Sequence, residues 1–372
     1  MTPPEYSNHT PANTRIHAGN RLRSWDLLKT FAIFLVIWGH VEQFLVSGAE
    51  ADRTVYRTIY SFHMPLFMMM AGFFYAMTLK SGIVRNILDK TRRLLLPWVT
   101  WFAITCLVIA LLDEAFLSSP RPKIFFWQSY WFLKSAFACG LVALIPLTLP
   151  RRYFWSAALL TTVGCQLLVR VPVLNLPFMY PCFLLGIIIY RYYDKFYTYR
   201  KQLFVFCSIA WFICLLFLDG DAYRRFLGDY SMDVSHTKLD VLFWMSYRNL
   251  VGITGAVAFI ALSEILFAAN RFQNAFTDTM GSIGALTLGI YTVHTILIQF
   301  LMGHYVNFDF LPPFVFDFIV SPAIAIVTLF ICSAIVRITE KNRYTSWLLL
   351  GTRFPRKTAT LSRTKVDADL SN

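Results

Sequence analysis

Charge is what this chain has least of. Asp, Glu, Lys and Arg make up 15% of its 372 residues, against about 25% in soluble domains. A soluble globule of this size needs more polar surface than that to cover its core. Paired cysteine motifs are missing as well. The seven cysteines, at positions 106, 139, 165, 182, 207, 214 and 332, form no CxxC and all fall in apolar stretches, which argues against a disulfide framework and a zinc site. No GxGxxG and no Walker A sequence is present, so no nucleotide-binding fold is read from motifs. Strict apolar–polar alternation is absent, which argues against a membrane β-barrel. No internal repeat is visible, which weighs against a transporter built from inverted repeats. Residues 1–26 are polar, with no apolar run ahead of the first long apolar stretch, so a cleavable signal peptide is not expected.

What is abundant is apolar length. The chain is 57% hydrophobic and 17% aromatic, with a mean hydropathy of +0.53. Crossing a hydrocarbon core of ~30 Å takes about 20 helical residues. Ten stretches reach or approach that length, near 27–46, 58–79, 94–112, 130–149, 154–170, 174–190, 203–218, 248–269, 282–303 and 315–336. The expected fold is an all-α integral membrane bundle of about ten transmembrane helices. Its parts are an N-terminal tail over 1–24, a membrane domain over 25–337 and a C-terminal tail over 338–372. Beyond about residue 344 the chain is basic and rich in Ser and Thr, and reads as a loose end. The longest outer connection, about 219–247, is charged and has room for a short helix.

The formal net charge is +13. In a soluble protein that would point to nucleic acid. Here the distribution decides. With the N-terminus cytoplasmic, 24 of the 34 Lys and Arg fall on inner segments, nine on outer ones, and Lys134 inside a span. That bias predicts N-in and C-in with an even number of spans, and no nucleic-acid partner.

An ionisable side chain inside a span is costly, so each one is a functional candidate. Lys29 and His40 are eleven residues apart in the first span. At ~100° and 1.5 Å per residue they share one helix face, about 16 Å apart. Asp26 lies near that face, Glu42 points away from it and Gln43 back towards it. His63 opens the second span, and His294 lies in the ninth. His40 and His63 sit roughly 8–9 Å below the outer edge of the core, with His294 somewhat deeper, so the three predict a polar chamber. Lys90 and Arg93 share a face at i, i+3, and with Arg92 they stand on the same side of the membrane as Lys29. An elongated anionic ligand could be held by its phosphates at this cationic mouth while its reactive end reaches the histidines. Lys134 and Glu264 are buried by the same count and have no assigned role. Each candidate has a plainer reading beside it. The histidines could be interhelical hydrogen-bonding groups, Lys29 a snorkelling cation, Arg92 and Arg93 positive-inside anchors, and Asp26 a helix cap or a partner of Lys29.

Four pieces of sequence resemble the membrane acyltransferase-3 family, across roughly residues 20–337. They are Asp26-Leu27-Leu28-Lys29 with Gly39-His40; Phe62-His63-Met64-Pro65-Leu66-Phe67 through Gly72-Phe73; Arg92-Arg93-Leu94-Leu95-Leu96-Pro97; and Leu288-Gly289-Ile290-Tyr291 with His294. Trp131-Phe132-Leu133 also fits. Where the family often has Arg-x-x-Arg, the first position here is Lys90, which binds phosphate as a point charge rather than a fork.

The resemblance implies an acyltransferase-3-like bundle of ten core spans, a cytoplasmic acyl-CoA donor and acylation of a glycan hydroxyl. The expected function is O-acyl transfer, foremost acetyl, to a cell-envelope or exopolysaccharide sugar in the bacterial plasma membrane. The expected partners are the lipid bilayer, acyl-CoA and a carbohydrate or glycolipid acceptor, with no permanently bound cofactor and no metal. On this reading His40 is the base or a transient acyl carrier, and His63 positions the substrate or shares the proton. Lys29, Lys90, Arg92 and Arg93 hold the donor phosphates, and Asp26, Trp131, Tyr291 and His294 line the acceptor pocket. The competing classes are a transporter or flippase with a histidine-lined polar site, and a structural or regulatory membrane protein.

Overall fold

The computed structural model describes residues 12–48, 52–79, 82–168, 174–227, 238–268 and 275–353. The expected tails therefore lie partly outside the described residues, at 1–11 and 354–372. Among the described residues the elements are helices, with no strand. Six of them are long and apolar enough to cross a membrane, or seven if one bent pair counts as a single span. Large apolar side chains such as Leu107, Leu111, Leu160, Phe206 and Phe212 stand exposed. A soluble protein does not tolerate so much exposed apolar surface, whereas lipid covers it. The chain is a multi-pass helical membrane bundle.

The first two helices, α1 (Ala12–Phe44) and α2 (Thr54–Thr78), form its centre. The window of α2 that could span is 72% buried, so α2 is enclosed by other helices. Helix α3 (Ile83–Leu112) is only 22% buried and lies at the periphery. Short helix α4 (Arg121–Gln128) leads into α5 (Trp131–Thr148). Three helices below full span length follow: α6 (Phe154–Gln166), α7 (Leu176–Arg191) and, after the short α8 (Tyr193–Thr198), α9 (Arg200–Leu216). Then come α10 (Gly220–Leu227), α11 (Lys238–Ala268) and the pair α12 (Ala275–Gly284) and α13 (Thr287–Tyr305), bent by 70° at the break. Helix α14 (Pro313–Lys341) and the short α15 (Arg343–Leu350) close the described chain.

In lipid, helices associate by close packing rather than by hydrophobic exclusion of water. Helices α2 and α7 show how close. A Cβ added at Gly72 would run into the Phe183 carbonyl, and one at Gly186 into the Met69 carbonyl. The two backbones touch at both glycines, and α2 packs on α7 along its length.

The structure alters several expectations. The ninth stretch, near 282–303, is not one straight helix but breaks between α12 and α13. The connection before α5 carries α4, anchored by a 2.6 Å ion pair from Arg121 to Asp113. The hydrogen bond from Arg121 holds the Asp113 carboxyl below the usual carboxylate range. The chain past residue 344 is not loose as far as residue 353. Trp101 Nε1 donates to the Leu349 carbonyl at 2.9 Å, and Arg92 Nε to the Gly351 carbonyl at 3.0 Å. Gly351 has φ of 62°, and a Cβ there would meet the backbone of Arg92 and Arg93. A glycine is therefore required by both conformation and space.

Candidate functional site

Two cavities of about 220 and 200 Å³ lie side by side. Helix α1 builds both with one face. Lys29 lines the first, His40 the second, and Val36 both. Met64 of α2 and Tyr291 of α13 are the other shared walls. Residues 29, 36 and 40 follow the seven- and four-residue steps that keep side chains on one helical face.

The first cavity is apolar along most of its wall, with Lys29, Lys90 and Arg93 as its cations. Lys29 Nζ is 2.8 Å from Asp26 Oδ1 and 4.0 Å from the centre of the Phe74 ring. Asp26 thus partners Lys29 and is not itself in the cavity wall. Lys90 Nζ stands 5.5 Å from the centre of the Tyr75 ring. Residues Thr91–Leu95 form a π-type turn. Adjacent residues on a helix point about 100° apart, so the two neighbouring arginines diverge. Arg93 lines the cavity. Arg92 faces Asp89 at 3.3 Å and the Gly351 carbonyl. Of the four cations expected together, the structure brings three to one cavity and gives Arg92 to the α15 contact.

The second cavity holds His40, His63 and Trp131, with Tyr60, Gln128, Ser129 and Gln299. His63 is two residues before Pro65, where α2 lacks a backbone donor. Its Nδ1 is 2.7 Å from the Ile59 carbonyl. A carbonyl only accepts, so the proton sits on Nδ1 and the lone pair on Nε2. His294 has the same arrangement, with Nδ1 3.0 Å from the Ile290 carbonyl. His294 is fully buried, and its ring centre is 4.9 Å from that of His40. It stands behind His40 rather than in the wall of the cavity. His40 also meets the edge of Phe44.

Several site residues give no signal in the sequence. Tyr130 has φ of 47°, a left-handed conformation that is costly for a bulky side chain. Its hydroxyl is 2.7 Å from Thr105 Oγ1, and Tyr130 and Ser129 place α4 over the histidine cavity. Gln299 sits in a second π-type turn, Ile296–Met302. Lys134 donates to the Phe126 and Trp127 carbonyls at 3.2 and 2.5 Å, so this buried cation caps the C-terminus of α4. Glu264 accepts from Ser24 Oγ at 3.0 Å and from the Tyr193 hydroxyl at 2.8 Å, tying α11 to α1 and α8. Glu42 does face away from the His40 cavity. It pairs with Arg53, which also pairs with Asp317 in a third π-type turn, and Ser321 donates to Glu42. Among the described residues no group of three or more His, Cys, Asp or Glu is placed to hold a metal ion.

A family model described as an acyltransferase domain matches residues 22–337. The nodulation protein NolL of Mesorhizobium japonicum is 28% identical over 224 residues, which is 55% of this chain and 58% of the relative. NolL of Sinorhizobium fredii is 29% identical over 220 residues, 54% of this chain and 58% of the relative. The match thus spans a little over half the length of these relatives. No solved structure matches the chain.

Proposed function

Because the chain belongs to the acyltransferase-3 family, we propose that it is a membrane-embedded O-acyltransferase. It moves an acyl group, foremost acetyl, from acyl-CoA to a hydroxyl of a cell-envelope or exopolysaccharide sugar. One observation carries the reading: a cationic cavity and a histidine cavity adjoin along one face of α1 and share Val36, Met64 and Tyr291. Lys29, Lys90 and Arg93 suit the phosphates of the donor. The apolar wall suits its pantetheine arm, and the roughly 16 Å from Lys29 to His40 along an ideal helix is comparable with that arm's extended reach. Arg92 shapes the mouth by holding the Gly351 carbonyl.

At the histidines the thioester meets the acceptor. His40 takes the proton of the acceptor hydroxyl, and the oxygen bonds to the thioester carbonyl carbon. The carbon–sulfur bond breaks, and the leaving thiolate takes the proton from His40. His63, with its lone pair on Nε2, positions the acceptor or shares the proton. Tyr60, Trp131 and Tyr291 offer aromatic surface for the apolar face of a sugar ring, and Gln128, Ser129 and Gln299 offer hydrogen bonds to its hydroxyls. No cofactor is retained between turnovers.

The topology proposed with this function has ten spans, both termini cytoplasmic, in the bacterial plasma membrane. Six long helices and the bent pair are supplemented by the shorter α6, α7 and α9. The 24-to-9 charge bias supports the orientation. The test in the cell is deletion of the gene followed by quantification of O-acetyl groups on the envelope glycans. Loss of O-acetyl from one glycan is expected; an unchanged content on all of them contradicts the reading.

A further inference from the structure

The histidine pair contains two unsatisfied and complementary atoms. His40 Nδ1 is buried and has no hydrogen-bond partner, and so is His294 Nε2. The ring centres are 4.9 Å apart, with the rings inclined at 42°. The tautomer of His294 is fixed by its neighbour: the Ile290 carbonyl holds the proton on Nδ1, so Nε2 carries the lone pair and can only accept. A buried polar atom left without a partner costs about 1–3 kcal/mol. One hydrogen bond, from His40 Nδ1–H to His294 Nε2, satisfies both atoms and needs no other group.

We propose that His294 is the positioning partner of His40. Its Nε2 accepts the Nδ1 proton of His40, fixes the ring and its tautomer, and leaves His40 Nε2 as the basic nitrogen on the wall of the histidine cavity. The relation is the one a carboxylate has to the histidine of a catalytic triad, with a neutral acceptor in its place. The substitution suits the surroundings. A carboxylate fully buried among apolar helices is expensive, whereas His294 is neutral and its Nδ1 is held by the helix backbone. When His40 takes a proton on Nε2, its Nδ1–H becomes a cationic donor and the bond to His294 strengthens. The inference rests on the acyltransferase reading for its kinetic consequence, and on the ring geometry for its structural one.

The two are tested separately. Purified protein in lipid nanodiscs is labelled with ¹⁵N-histidine, and the His40 signals are assigned by their absence from His40→Ala. His40 is expected as the Nδ1–H tautomer in the wild type and in His294→Gln, whose side-chain oxygen can accept near the position of Nε2. In His294→Leu the His40 signals are expected to shift to a mixture of tautomers. In the same preparations, His294→Leu should lower kcat for acetyl-CoA consumption about 10–100-fold, the range found when the hydrogen-bond partner that orients a metal-bound histidine is lost. KM for acetyl-CoA should stay within about twofold, and His294→Gln should recover most of the rate. A wild-type His40 protonated on Nε2, or a His40 tautomer unchanged in His294→Leu, overturns the proposal whatever the activity does. Wild-type protein that consumes no acetyl-CoA sinks the acyltransferase reading instead, and the tautomer alone then decides the His40–His294 bond.

Discussion

Lys29 and His40 lie on one face of α1 and line two different cavities, with Val36 between them in the wall of both. Their loss should therefore affect different constants. Lys29→Ala should raise KM for acetyl-CoA about tenfold, the worth of one charged contact of roughly 1.5 kcal/mol, with kcat changed less. His40→Ala should lower kcat by a factor on the order of 10²–10⁴, the usual share of a general base. Steady-state kinetics at varied acetyl-CoA separates the two.

Arg92 and Arg93 are neighbours in sequence and should behave differently. Arg93→Ala is expected to raise KM for acetyl-CoA, because Arg93 lines the cationic cavity. Arg92→Ala is expected to leave KM nearly unchanged and to lower thermal stability by about 1 kcal/mol, the worth of a hydrogen bond such as the one to the Gly351 carbonyl. Kinetics and a thermal melt on both variants check this. Equal effects on KM would contradict the separate placement of the two side chains.

Gly72→Ala should destabilise the bundle by about 1–3 kcal/mol or more, because the added methyl meets the Phe183 carbonyl rather than a movable side chain. Gly164→Ala is the control, since a Cβ there meets nothing within 4 Å. Thermal melts in one detergent should rank Gly72→Ala well below wild type and Gly164→Ala beside it.

Arg53 joins Glu42 to Asp317. Arg53→Met leaves two carboxylates facing each other, with Glu42 wholly buried. Removing one partner of a buried ion pair costs about 3–5 kcal/mol. The triple variant Arg53→Met, Glu42→Gln, Asp317→Asn should regain a large part of that loss. Folded yield by size-exclusion chromatography reads both, and a triple variant no better than the single one would show that the network acts through shape alone.

The helices were legible where composition alone defines them. A long apolar run has one stable form in lipid, so α2, α5 and α14 lie close to where hydropathy puts them, whereas α1 begins at Ala12 in the expected N-terminal tail and α11 at Lys238 in the expected connection 219–247. The common face of Lys29 and His40 follows from helical period alone. The π-type turns are a different matter. They depend on how the chain packs against its neighbours, and three of them carry Arg93, Gln299 and Asp317. Left-handed Tyr130 has no mark in the sequence either, since bulky residues seldom adopt that conformation. The role of Lys134 is not legible in the sequence because its partners are backbone carbonyls of α4, which are the same atoms in every residue. The role of Glu264 is not legible either, because Ser24 is 240 positions away.

On the proposed function, acetyl-CoA bound among Lys29, Lys90 and Arg93 is consumed at His40. The most direct measurement follows labelled acetyl-CoA with purified protein in nanodiscs, reading thioester hydrolysis and acyl exchange for wild type and His40→Ala side by side. Turnover by the wild type is expected, with its loss in His40→Ala while the variant still binds the donor. Absence of both reactions in wild type, as a transporter would show, or equal turnover in the two proteins, would contradict it.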